Sequence, residues 1–179
     1  MNLSKDLFQK YFSNKITQDE LCVSIGIWNT EFEQFLLTEM VHAYKQEDAE
    51  MIEYLIFTMF LAEEEINLSL FTDILNRLIL CKWHNKHEDI ALLLQKIRAS
   101  ESIEYLYKAI FLKPAYLEWD DNYAFEKKCI HAIAKCGNQE AVDKLKLLIT
   151  DKNEIVRLCA VKQLQKLQNS MMLGSKAPL

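Results

Sequence analysis

Glycine and proline are scarce in this chain: three and two among 179 residues. A sheet-rich protein needs turn residues every few positions, so their rarity excludes most all-β designs and favours long helices with tight links. Also missing is an apolar signal core near the start, where MNLSKDLFQKYF stands instead, so no secretion signal is expected. The longest apolar run, 51–62, is too short to span a bilayer and carries Glu53. No Gly-rich phosphate loop, no Ser or Cys nucleophile in a recognisable setting and no isolated carboxylate pair occurs. Catalysis is therefore not expected.

The five cysteines, Cys22, Cys81, Cys129, Cys136 and Cys159, match no zinc spacing, and their number is odd. They read as small buried hydrophobes, Cys129 and Cys136 on one helix face beside Ile133, in a reducing cytoplasm. Net charge is −5, unevenly placed. Residues 1–90 hold 7 basic and 16 acidic side chains, a balance of −9; residues 91–179 hold 14 and 10, a balance of +4. An acidic front half repels nucleic acid and anionic membrane and attracts a basic protein, although solubility alone explains the same charge.

Caps and periodicity predict about ten helices. Ser4 caps the first, and the capping box Thr17-Gln-Asp-Glu20 opens one to about residue 28. Asn29 or Thr30 begins the next, to about 45, and Asp48 caps another, to about 61. The acidic turn Glu63-Glu64-Glu65, read as solvated, is followed by helices at 68–82, 86–98, 102–112, 122–136, 139–149 and 154–168. Residues 174–179 have nothing to bury and are expected to form a loose tail. No linker divides the chain, so residues 1–173 are expected to form one domain.

Three helix ends align: Gln95-Lys-Ile97, Ala134-Lys-Cys136 and Gln165-Lys-Leu167. The second step is 31 residues and the first 39, the difference being an insertion near 113–122 where the next repeat has only the turn 151–153. Within AIAKCGNQEAVDKLKLLITDKNEIVRLCAVKQL, Gly137 suits a left-handed helix end and Asn138 the following cap. Ala141, Val142, Leu145, Leu148 and Ile149 form one apolar stripe, with Ile155, Leu158, Cys159 and Leu164 expected to face it. Small Ala132 and Ala160 let helices approach closely.

This stretch resembles a HEAT-like repeat, clearest over 88–167. The resemblance implies an all-α, right-handed superhelical solenoid of about five helix pairs. It also implies that Asp151 and Arg157 link neighbouring repeats. WHNKHEDIALLLQKI, SIEYLYKAI and YAFEKKCIHAIAKCGNQEAVDKLKLLI together look like the HEAT-like immunity proteins of bacterial polymorphic and contact-dependent toxin systems. Such a protein binds a cognate toxin domain, often a nuclease, and blocks its active site. The implied partner is a basic toxin domain in a 1:1 complex with a monomer, without direct contact to nucleic acid or membrane. A helical scaffold or adaptor is the alternative.

Two stretches invite a sharper reading. In WHNKHEDI, His84, His87, Glu88 and Asp89 suggest a metal site. Zinc proteases, however, place two His four apart with Glu beside the first, whereas these are three apart with Glu beside the second. Only His87 has a Glu next to it, His42 and His131 having none, which also counts against a metal enzyme; an enzyme built on His84, His87 and Glu88 is the third reading. An acidic helix start explains the same letters, and no metal or cofactor is expected. The insertion KPAYLEWDDNY places Tyr116 and Trp119 among Glu118, Asp120 and Asp121, a pattern suited to gripping a basic partner. The plain alternative is that the two aromatics fold back over the helices. Glu88 and Asp89 are weaker candidates for the same interface.

Overall fold

The computed structural model describes the backbone of residues 1–174 and the side chains of 1–170. Every regular element among them is helical, with ten α-helices, short 3-10 turns and no strand. None of the helices is long and apolar enough to cross a membrane. The described residues form two compact units, one of Met1–Ile74 with Trp83–Lys86, the other of Leu75–Lys82 with the residues from His87 on.

In the first unit, caps fix where helices begin. Ser4 accepts from the Leu7 N–H to start α1 (Lys5–Phe12). At α2 (Gln18–Ile25), Thr17 Oγ1 accepts from the Glu20 N–H at 3.2 Å while Glu20 Oε2 accepts from the Thr17 N–H at 2.8 Å, the expected reciprocal box. The helix stops earlier than 28 because Gly26 turns left-handed at φ +81°, and a Cβ there would meet Met1 Cγ at 2.8 Å. Asp48 caps α4 (Ala49–Leu61) through the Met51 N–H and also holds Lys5 at 2.9 Å.

α3 (Phe32–Gln46) packs against α4 and buries Phe32, Leu36, Met40 and Ala43, a 4-4-3 spacing that gives one stripe. Phe8 of α1 is fully buried and stacks on Tyr54 of α4 at 4.6 Å. The expected helix over 68–82 is instead a 3-10 turn, Leu68–Phe71, followed by α5 (Thr72–Leu78), through which the chain passes from one unit to the other. Ser69 donates its N–H to the Asn67 side chain at the start, and tighter bonds from Leu80 to Arg77 and from Cys81 to Leu78 close the end.

The second unit holds α6 (His87–Ile97), α7 (Ile103–Ala109), α8 (Ala124–Cys136), α9 (Gln139–Leu148) and α10 (Glu154–Gly174). α8 is its hub: it packs against all four others, while α7 also meets α9 and α9 meets α10. Its buried residues, Phe125, Cys129, Ile130, Ala132 and Ile133, cover the wide face such a position requires. Gly137 ends α8 at φ +73°, and Asn138 Oδ1 accepts the Ala141 N–H at 2.9 Å, both as expected. Ala141, Val142, Leu145 and Leu148 are buried and Ile149 partly so. Ala132 and Ala160 are fully buried.

Three expectations need correction here. The inner stripe of α10 is Val156, Ala160, Leu164 and Leu167; Ile155 and Leu158 lie outside, Leu158 with 59% of its surface exposed. Neighbouring Ile155 and Val156 are both apolar, and the 4-4-3 spacing that starts from Val156 is the one that packs. Arg157 does not reach a neighbouring repeat: it donates to the Asp151 carbonyl at 2.9 Å, inside its own turn. The Asp151 carboxylate is likewise occupied locally by the Asn153 N–H. α10 also continues beyond 168, to Gly174. The tail expected at 174–179 lies, past Gly174, outside the described residues.

All five cysteines are free thiols, with Cys22 and Cys129 buried and Cys81, Cys136 and Cys159 half-buried. Burial pushes the Cys129 thiol well up and that of Cys136 up to about 11, so these two groups are protonated and unreactive at neutral pH.

Candidate partner-binding site

Fourteen residues, 110–123, join α7 to α8, where the corresponding link from α9 to α10 needs five, 149–153. Pro114, at φ −63° and without an N–H, starts a 3-10 turn over Ala115–Leu117. The end of the link is tied down by Asp120. Its Oδ1 accepts from the Asn122 N–H at 3.0 Å and its Oδ2 from the Ala124 N–H at 2.7 Å, so one carboxylate neutralises free donors at the start of α8. Tyr123, between them, is held left-handed at φ +51°, a strain of about 1–3 kcal/mol for a bulky side chain.

The expected residues therefore divide. Asp120, Tyr116 and Glu88 already serve the fold. The Tyr116 ring stands 5.6 Å from that of His87. Its phenol is pushed up to about 12, mainly by burial and also by the Glu88 and Asp89 charges, against the backbone N–H groups of His87 and Glu88. Glu88 pairs with Lys128 of α8 at 3.1 Å, and Asp89, one residue on, is half-buried. Glu118, Trp119 and Asp121 are exposed, and Trp119, at 87%, is the most exposed large apolar side chain described. Of the two aromatics that could have folded back, Tyr116 does so only in part, with 38% of its surface still exposed, and Trp119 does not.

Glu118, Asp120 and Asp121 line one cleft of about 420 Å³, which Lys113, Leu117 and Glu126 complete. Glu126 was not anticipated. Its carboxyl is raised by burial and by the Asp120 and Glu88 charges, with Lys113 opposing. Its place in the first turn of α8 was visible in the sequence, but the folding of the link beside that turn was not. The cleft is thus rich in carboxylates, with one cation, and the exposed Trp119 is the chain neighbour of two of its lining residues, Glu118 and Asp120. Chemically it can attract and hold a basic group.

Comparison with family models, curated proteins and solved structures finds no match for the chain. The site must be read from its own chemistry.

The two histidines of WHNKHEDI are engaged separately. His87 is buried, its Nε2 lies 2.6 Å from the Cys81 carbonyl, and its ring meets Phe125 edge-on at 5.5 Å. Burial lowers its pKa, with the carbonyl contact opposing. His84 is buried in the other unit, accepts the Lys86 N–H at Nδ1 and meets the Trp83 ring edge-on. Among the described residues, no group of three or more His, Cys, Asp or Glu is placed to hold a metal ion. The acidic turn of the first unit has Glu64 and Glu65 in solvent and Glu63 half-buried.

Proposed function

We propose that this protein is a HEAT-like immunity protein that binds a basic toxin domain, most simply a nuclease, and occludes its active site. The observation that carries the reading is Trp119: an indole 87% exposed, flanked by Glu118 and Asp121, on a link longer than its neighbour needs. Exposing so much apolar surface is unfavourable unless a partner covers it, and a carboxylate rim selects a basic one. A nuclease cleft is positive because it must hold phosphates, so carboxylates on a firm helical base can occupy the same field. The helix-on-helix packing of α6 to α10 fits repeated HEAT-like pairs and, extended along the chain, a right-handed solenoid. We place it in the cytoplasm as a monomer that forms a 1:1 complex.

Full-length protein used as bait in cells carrying its gene identifies the partner. Recovery of a basic toxin domain whose activity is inhibited at 1:1 supports immunity; recovery of non-toxic partners alone makes the protein an adaptor. Against the recovered toxin, Glu118→Lys/Asp121→Lys should slow association, and Trp119→Ala should speed dissociation, each at least tenfold. Asp120 is left intact because α8 needs it. Unchanged kinetics in both variants would remove the link from the interface.

A further inference from the structure

The second unit carries a feature of opposite sign on α8 and α10. Lys127, His131 and Lys135 are spaced four apart, on one face of α8 at about 6 Å per step. Lys162 and Lys166 are likewise four apart on α10, which packs against α8. The sets converge: a cleft of about 380 Å³ is lined by Gln95, His131, Lys135, Gln163, Lys166 and Leu167, with no carboxylate among its lining residues. His131 is exposed at its edge, yet partial desolvation, and after it the field of all four lysines, lowers its pKa.

Among the described residues, none of these four lysines takes part in an ion pair, although Lys128 of α8 and Lys144 of α9 do. In a chain of net charge −5, four unpaired lysines brought together repel one another without visible structural gain. The spacing adds a second regularity. Lys127 and Lys135 stand about 12 Å apart along α8, and Lys162 and Lys166 about 6 Å apart on α10, which packs against it. Such a row suits a long ligand with regularly spaced negative charge, rather than one small anion.

We propose that the α8–α10 face binds the phosphate backbone of a nucleic-acid duplex without reading its sequence. No Phe, Tyr or Trp lines the cleft, and His131 is its one aromatic ring, so the row of stacking platforms on which single-strand binding relies is missing. Leu167 is nearly covered, leaving no apolar anchor of the kind protein interfaces centre on. Lysines alone suffice for a backbone, because displaced counterions drive that binding. The acidity that repels nucleic acid belongs to residues 1–90, whereas this face lies within residues 91–179, whose balance is +4. The inference stands apart from the toxin reading, which concerns Glu118, Trp119 and Asp121.

The test is fluorescence anisotropy of the full chain with a short labelled DNA duplex of mixed sequence, measured across salt. Four contacts predict a slope of log K against log salt of about −3 to −4. Lys162→Gln/Lys166→Gln should reduce its magnitude by about 2 and weaken binding more than tenfold at low salt. Lys15→Gln/Lys45→Gln removes equal charge from the other unit and should change little. A second sequence should bind equally, and the Glu118, Asp121 and Trp119 variants should bind as the parent does. No binding at low salt, or equal loss in both lysine pairs, overturns the proposal. So does preference for a poly-glutamate peptide with dependence on Leu158, exposed one turn before Lys162, which would assign the face to an acidic protein segment.

Discussion

The links α7–α8 and α9–α10 solve the same problem with different amounts of chain. The short one is used up by folding: Asp151 accepts from Asn153, Asn153 caps Ile155 and Val156, and Arg157 donates to the Asp151 carbonyl. The long one spends Pro114, Tyr116 and Asp120 on the same tasks and has Glu118, Trp119 and Asp121 left over. Surplus residues on a firmly capped link are free to carry function, because losing their side chains costs the fold little. The neighbouring turn has no such freedom.

The largest effect should come from the core beneath both links. Leu145 is fully buried on α9, and Leu145→Asp puts an unpaired charge there, costing about 3–5 kcal/mol in denaturant unfolding. A variant that melts like the parent would mean that α9 is not part of a packed layer. Next come the caps. Asn153→Ala and Asp120→Ala should each cost about 1–2 kcal/mol, in the same denaturant unfolding assay. Equal losses would show both links fastened by the same device; no loss at Asp120 would return it to the candidate interface.

A smaller effect should appear only in the long link. Burial raises the Glu126 carboxyl, so the folded state holds its proton more tightly than the unfolded one. The resulting penalty is absent below the unfolded pKa, about 4.3, and grows as pH rises through the folded value. Glu126→Gln should therefore raise Tm by roughly 1–3 °C at pH 7 and leave it unchanged near pH 4. A rise that persists at pH 4 would point to packing instead of charge. The smallest change in stability, within about 0.5 kcal/mol, is expected for Trp119→Ala, because the indole touches little. Stability lost there would mean that the indole does cover the helices.

Local chemistry made much of the fold legible. Ser4, Thr17, Asp48 and Asn138 all cap as their letters suggest, because a cap is a contact within three or four residues. Adjacent choices were harder. Ile155 and Val156 have equal claims to the interior, and only the position of α8 against α10 selects Val156. The candidate site divides in the same way. The aromatic-acidic character of 116–121 was plain, but which carboxylate fastens a helix and which is spare was not.

What the sequence determined by itself is what short-range forces decide: helix starts and stops, the left-handed turn at Gly137, the odd length of one link and the uneven charge. Tertiary structure decided what depends on residues far apart in the chain. It brought the Glu88 charge to bear on Glu126, laid the Tyr116 ring by His87, and turned Lys127, His131 and Lys135 toward Lys162 and Lys166. Electrostatic and packing energies depend on distance in space, and that distance is set only once helices many residues apart have packed.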